Sequence, residues 1–205
     1  VGDLSGGQRV PEDAEGEEVV RQFGALRRHR RESVYAVCGN HDRSGLDPHI
    51  WLSPPLVMIQ SRTILNALQE VDPANRSSYE ANYKAFITEL VDLDADFKKI
   101  FAGRQGLRFM VFHPSWGYFS NTYGLKQVPV QIEGKEPKPA QLKELIEHAR
   151  EKNIKVIFVQ PQFSAKSAEL VAKEIGGEVA FVDPLAENWS DNLHEVANKF
   201  KAALK

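Results

Sequence analysis

The chain has 205 residues, of which 42% are hydrophobic and 26% are charged, a composition typical of globular proteins. Its net charge of -2 argues against a general nucleic-acid binder, which would need a basic surface. The single cysteine, Cys38, excludes an intrachain disulfide and a zinc site built from cysteines. No apolar run approaches the ~20 residues that span a bilayer, so at most peripheral contact with a membrane is expected. No signal-peptide pattern is recognised either.

The first 45 residues differ in character from the rest. Residues 11–31 have a helical pattern with a basic end, which suits a helix C-terminus. Residues 33–38 have the composition of a strand, and the sequence Gly-Asn-His-Asp follows at 39–42. We therefore treat residues 1–45 as a separate N-terminal segment.

Two helices are predicted next. In residues 54–71 an approximately helical apolar pattern predicts one buried side, made of Leu56, Ile59, Thr63, Leu65 and Leu68. Residues 74–102 contain the longest periodic pattern in the chain. From Tyr79 to Phe101 the apolar residues recur every three or four positions, which marks one face of an amphipathic helix. At ~1.5 Å per residue this second helix would extend about 40 Å, enough to run along a whole domain.

The remainder alternates strands and helices, a pattern typical of a parallel α/β sheet. The predicted strands are 107–112, 127–131, 155–159 and 178–182. The predicted helices are 139–152, 165–175 and 191–204. The fold class is therefore α/β, with a doubly wound lobe.

Two histidines and one aspartate lie at the ends of apolar segments. His49 follows a proline turn, and His113 and Asp183 come directly after predicted strands. In such sheets ligand-binding groups gather outside the carboxyl ends of the strands, so His113 and Asp183 could meet there. Neutral imidazoles and a carboxylate from separate parts of a fold suit a divalent metal such as zinc. For Asp183 a purely structural interpretation stays open, in which the Asp-Pro pair ends the strand and begins a turn.

The sequence around these residues resembles the zinc/manganese solute-binding proteins of ABC uptake transporters. The segment 47–54, Asp-Pro-His-Ile-Trp-Leu-Ser-Pro, resembles the ligand segment of that family. Further matching motifs are Phe-Met-Val-Phe-His-Pro-Ser-Trp-Gly-Tyr-Phe at 109–119, Tyr-Gly-Leu at 123–125, Gly-Lys-Glu-Pro-Lys-Pro at 134–139 and Val-Asp-Pro-Leu-Ala at 182–186. In order and spacing they cover residues 46–205, roughly three-quarters of the chain.

The resemblance implies a function and a set of ligands. In that family a divalent metal lies between two lobes, held by three histidines and one carboxylate. Position by position, His49 and His113 would be ligands and Asp183 would supply the carboxylate. Histidine-rich coordination favours zinc, with manganese as the alternative. The protein would not be an enzyme; it would bind the ion in the periplasm or elsewhere outside the cytoplasm and deliver it to an ABC-transporter permease.

The resemblance also implies a domain organisation, with one departure. Residues 46–72 would end an N-terminal lobe, 73–103 would form the backbone helix that links the lobes, and 104–205 would form the C-terminal α/β lobe. The N-terminal lobe would be truncated or replaced, because the upstream region that supplies the family's first histidine is not recognised. His41 is a weaker candidate for that ligand. Apolar surface would then stay exposed on the two helices before residue 103, which predicts a homodimer.

Several other residues are expected to have structural roles. The loop carboxylates Glu133 and Glu187 and the helical histidines His29, His148 and His194 are expected at the surface. The aromatic residues near the motifs are expected to line the walls of the metal cleft, and these are Trp51, Trp116 and Tyr118.

The N-terminal segment supports an alternative. Gly2-Asp3 and the later Asn40-His41 resemble the middle motifs of metallophosphoesterases, in which such residues bind two metals near a phosphate. The upstream Asp-x-His and later Gly-His-x-His motifs of that family are absent from the sequence. The alternative function is thus a metal-dependent phosphoesterase, and a third interpretation is a fused chain that folds without a specific ligand.

Overall fold

The computed structural model describes residues 47–131, 135 and 137–204. The predictions for the N-terminal segment and for part of one loop lie outside these residues, among them those for Asp3, His29, Asn40, His41 and Glu133.

A parallel four-stranded sheet forms the centre of the described structure, in the order β2-β1-β3-β4. The strands are β1 Arg108–Val111, β2 Lys126–Pro129, β3 Val156–Val159 and β4 Glu178–Phe181. Each predicted strand is present with its bounds shifted by no more than two residues, which confirms the α/β class.

Six α-helices accompany the sheet in the described part of the chain. They are α1 Pro54–Val71, α2 Arg76–Ile100, α3 Gly117–Thr122, α4 Pro139–Glu151, α5 Lys166–Ile175 and α6 Trp189–Ala203. The five longer ones were predicted. The short α3 was not, because a single polar and aromatic turn is too brief to show a helical period.

The two faces of the sheet are both buried, each in its own apolar core. Successive strand residues alternate between the faces. Phe109 and Val111 of β1 pack with α2, α3 and α6, whereas Met110 and Phe112 pack with α4 and α5. The central strands β1 and β3 are buried at three of their four positions and consist of nearly continuous apolar residues, as the inner strands of parallel sheets do. The edge strands β2 and β4 are partly exposed. The sheet is therefore a rigid support for whatever lies at its edge.

The first core is rich in aromatic rings. Phe200 of α6 stacks on Phe109 at a centroid distance of 4.3 Å and contacts the edge of Trp116 at 5.3 Å. Trp116 is fully buried in this core. The prediction that it lines the wall of a cleft was wrong, since its ring points into the lobe instead.

The helix pair α1 and α2 lies at the side of this core. Pro73 begins a 3-10 turn, Pro73–Asn75, so α2 begins two residues later than predicted. Its C-terminal half is buried at the positions that the apolar period indicates, such as Leu90 and Phe97. On α1 the buried side differs from the prediction, because Ile59 is 65% exposed while Val57 is buried. Among residues 47–131 and 137–204, no helix combines the length and apolar character that crossing a membrane requires.

Candidate metal centre

The carboxyl ends of all four strands carry polar side chains at one edge of the sheet. His113 follows β1, Gln131 follows β2, Gln160 follows β3 and Asp183 follows β4. In the sheet, β2 lies on one side of β1, whereas β3 and then β4 lie on the other side. The direction in which successive strands are added therefore reverses between β1 and β3, which is the topological switch point. Open α/β sheets bind ligands at that kind of crevice. His113 and Gln160 meet there.

His113 is held on several sides. Its ring Nδ1 lies 2.8 Å from Oε1 of Gln131, and its ring stacks on Phe163 at 4.8 Å between centroids. The backbone N–H of His113 donates to Oε1 of Gln160 at 3.2 Å, and its backbone oxygen accepts from Nε2 of Gln160 at 2.7 Å. Both the backbone and the ring of His113 are thus fixed by residues that follow neighbouring strands.

His49 comes to the same edge from the segment that precedes α1. It precedes a 3-10 turn, Ile50–Leu52, and is 4% exposed. Oδ1 of Asp47 accepts from the backbone N–H of His49 at 3.0 Å and lies 2.5 Å from its ring Nδ1. The Trp51 ring lies 5.2 Å from the imidazole. Trp51 therefore lies beside His49, and its role in the wall of a metal cleft stays a prediction.

The two imidazoles lie next to each other. Their ring centroids are 5.4 Å apart, with the planes inclined at 78°. In each ring Nδ1 faces an oxygen acceptor, the carboxylate of Asp47 for one and the amide of Gln131 for the other. When Nδ1 carries the proton, Nε2 is the nitrogen that coordinates a metal. The arrangement therefore fits a pair of imidazole ligands, each oriented by a hydrogen bond.

Asp183 lies on a segment tied to the one that carries His49. The Trp51 indole N–H donates to the Pro184 backbone oxygen at 3.0 Å, and the Trp189 indole N–H donates to the Trp51 backbone oxygen at 3.1 Å. Oδ1 of Asp183 accepts from the backbone N–H of Leu185 at 2.9 Å, which is the turn that its structural interpretation predicts.

The same oxygen of Asp183 also accepts from Nε2 of Gln162 at 2.9 Å. Within residues 47–131, 135 and 137–204, no three His, Cys, Asp or Glu side chains form a group that could hold a metal ion. The structure thus brings His49 and His113 together without completing a three-ligand set, and Asp183 as a ligand stays a prediction.

The remaining candidates lie elsewhere. Glu187 is exposed, as expected. His148 is half-buried on α4, and His194 on α6 packs edge-on against Phe97 at 5.3 Å. His194 was predicted at the surface, but its ring packs against the aromatic core.

Two glutamines of the site have no counterpart among the predictions. Gln160 directly follows the apolar strand β3, and Gln131 ends the predicted strand 127–131, two residues after β2. That shared position is the signal by which they could have been found, because the residues after parallel strands meet at one edge.

Comparison with known proteins gives the family. The model of the zinc-uptake complex component A periplasmic family, ZnuA, matches residues 6–203. The chain belongs to this family. The match confirms the resemblance recognised in the motifs, and it begins within the segment for which a phosphoesterase was considered. The comparisons give that alternative no support.

Individual members of the ZnuA family agree in sequence and fold. The high-affinity zinc uptake system protein ZnuA of Bacillus subtilis strain 168 is 36% identical over 142 residues, which are 68% of this chain and 44% of that protein. A crystal structure of ZnuA matches with a TM-score of 0.77 and 46% identity, covering 82% of this chain and 63% of that one. A zinc-bound deletion mutant of ZnuA matches with a TM-score of 0.76 and 40% identity, covering 91% and 76%. The chain therefore spans less than half the length of the Bacillus relative.

Proposed function

We propose that this chain binds a divalent metal ion, zinc in first place, as the solute-binding component of an ABC metal uptake system. The observation that carries the proposal is the pair His49 and His113, held side by side at the topological switch of a parallel sheet. Membership of the zinc-uptake family supports the choice of metal. Imidazole nitrogen also favours zinc over manganese, which prefers more oxygen ligands.

Asp183 is the proposed carboxylate ligand. The tryptophan hydrogen bonds described above hold its segment against the segment of His49, which supports a carboxylate ligand from this turn. The negative charge would offset part of the charge of the ion. Two imidazoles and one carboxylate leave a fourth zinc position for water or a further ligand.

The function is tested by calorimetric titration of zinc into the chelator-stripped protein. We expect stoichiometric binding that both His49→Ala and His113→Ala weaken at least about tenfold, since loss of a ligand should cost no less than loss of a supporting hydrogen bond. His148→Ala is the matched control, because His148 lies on α4 away from the pair. Wild-type binding as weak as that of both variants would contradict the proposal.

Asp183 needs a substitution that preserves its turn. Asp183→Asn keeps an Oδ1 acceptor for the backbone N–H of Leu185 but removes the negative charge. We expect zinc affinity to fall about tenfold while the unfolding transition stays unchanged. Unaltered affinity would remove Asp183 from the ligand set and leave it as a turn residue.

The wider role follows from the family. The chain would take up the ion outside the cytoplasm, in the periplasm or at the cell surface, and pass it to a membrane permease. This is a binding role without catalysis. Exposed apolar residues on α1 and α2 further support a homodimer as a secondary proposal, with Ile59 65% and Val91 49% exposed.

A further inference from the structure

The ring of His113 is held by a residue that is not a metal ligand. We propose that Gln131 is a positioning residue, which keeps the imidazole as the Nδ1–H tautomer and directs Nε2 to the ion before the ion arrives. The inference rests on the proposed function only in taking His113 as a ligand; the tautomer itself is a property of the metal-free protein.

The first support is how Gln131 is placed. Its backbone N–H donates to the Phe112 backbone oxygen at 2.9 Å, which continues the pairing of β2 with β1 beyond the strand ends. The side chain therefore begins beside His113, and it is 7% exposed. A buried amide is costly unless it is hydrogen-bonded, and its Oε1 meets Nδ1 of His113 at 2.8 Å. An amide oxygen only accepts, so the ring nitrogen must donate.

The second support is that the backbone beneath the ring is also fixed. Gln160 is fully buried, and its amide contacts the loop after β1 three times. Oε1 accepts from the His113 N–H, while Nε2 donates to the His113 backbone oxygen and, at 2.8 Å, to Ser115 Oγ. With the backbone fixed by Gln160 and the ring stacked on Phe163, the contact with Gln131 selects which nitrogen carries the proton.

The physical benefit is pre-organisation. A histidine already in its binding tautomer and orientation loses little conformational freedom when the metal binds. The partner here is a neutral amide, whereas His49 has the carboxylate of Asp47. The two imidazoles are thus oriented alike at Nδ1, one by a charged acceptor and the other by a neutral acceptor. Supporting hydrogen bonds of this kind typically raise metal affinity about 10–100-fold.

The test is long-range ¹H–¹⁵N correlation of the histidine side chains in the metal-free protein at neutral pH. The His113 signals are assigned by their loss in His113→Ala. We expect a protonated Nδ1 in the wild type, a mixture of tautomers in Gln131→Leu, and recovery of the Nδ1–H form in Gln131→Glu, which restores an acceptor. Gln127→Leu is the matched control, because Gln127 lies on β2, just before Gln131, and accepts from the Trp116 backbone N–H instead.

Zinc titration of the same variants supplies the second measurement. Gln131→Leu should lower affinity about 10–100-fold, and Gln131→Glu should restore it. A wild-type His113 that carries its proton on Nε2, or a tautomer unchanged in Gln131→Leu, would overturn the inference. If the wild type binds no zinc while the tautomer responds as expected, the proposed function fails and the role of Gln131 in orienting the ring stands.

Discussion

The imidazoles of His49 and His113 lie edge to face, 5.4 Å apart between centroids, although the whole of α1 and α2 separates them in the sequence. Each is oriented by an oxygen acceptor at Nδ1. Placing two half-buried or buried imidazoles together is unfavourable when both are protonated, because the charges repel at short range. The pair is therefore suited to binding one metal cation in place of two protons.

The first prediction is that zinc binding depends on pH. Imidazole binds metal only when it is deprotonated, so protons and zinc compete for the same ring nitrogens. The zinc affinity should therefore fall as the pH is lowered. The expected slope is up to about tenfold per pH unit for each imidazole that must lose a proton. Calorimetry from pH 5 to 8 measures it, and a constant affinity across that range would speak against histidine ligands.

The second prediction concerns Gly117, the first residue of α3. A Cβ at this position would collide with Oδ2 of Asp47. Gly117→Ala should therefore displace the carboxylate that orients His49, with a loss of zinc affinity of about 10–100-fold. The unfolding transition should change little, because the short, partly buried side chain of Asp47 can move aside.

Asp47→Asn serves as the comparison for Gly117→Ala. It keeps an oxygen in place but removes the negative charge, so it should weaken zinc binding without the steric displacement. If Gly117→Ala binds zinc like the wild type, the carboxylate of Asp47 does not orient His49 in solution.

Much of the fold could be predicted from the sequence because its elements are long or strongly apolar. The period of α2 and the continuous apolar residues of β3 are local signals that burial on one or both faces imposes. The short helix α3 showed no such periodic or apolar signal. Ile59 was assigned to the buried side of α1, yet the side that is covered depends on where α2 packs, which local spacing does not encode.

The site could be predicted only where a motif marks it. His49 and His113 were selected by their positions at the ends of apolar segments and by the family motifs around them. The order of the strands places only His113 at this edge, and His49 comes from the turn before α1. Gln131 and Gln160 carry no motif, since a glutamine after a strand is chemically unremarkable until the sheet order places it beside a histidine. Asp183 is the opposite case. Its motif predicts a metal ligand, whereas in the structure its Oδ1 accepts a hydrogen bond within a turn.

The third prediction is that self-association depends on the apolar surface of α1 and α2. Light scattering at high concentration should give a dimer for the wild type. The double substitution Ile59→Asp and Val91→Asp should shift it to a monomer, because charges oppose burial of that surface. Leu170→Asp on α5 is the matched control, since Leu170 is 45% exposed but lies on the other side of the sheet. A wild-type monomer would remove the homodimer proposal.

The last prediction concerns alkaline stability and the phenol of Tyr123, which is 5% exposed. Its O–H donates to Oδ1 of Asp94 at 3.2 Å, and Nζ of Lys98 donates to the other oxygen of Asp94 at 2.6 Å. Burial, and then the negative charge of Asp94, raise the pKa of Tyr123 well above its ordinary value of 10.0. The folded protein thus holds the phenolic proton more tightly than the unfolded chain does.

The sign of the effect follows from this difference. The protonated phenol of Tyr123 stabilises the folded state fully below pH 10. Above pH 10 this contribution to the free energy of unfolding is lost, by about 1.4 kcal/mol per pH unit. Tyr123→Phe should cost about 1 kcal/mol at pH 7 through the lost hydrogen bond, and this deficit should shrink between pH 10 and 11. Denaturant unfolding of the wild type and Tyr123→Phe from pH 7 to 11 measures how their free energies of unfolding converge. Tyr83→Phe is the control, which should lose stability at alkaline pH as the wild type does. Parallel pH profiles for the wild type and Tyr123→Phe would show that Tyr123 is not the group responsible.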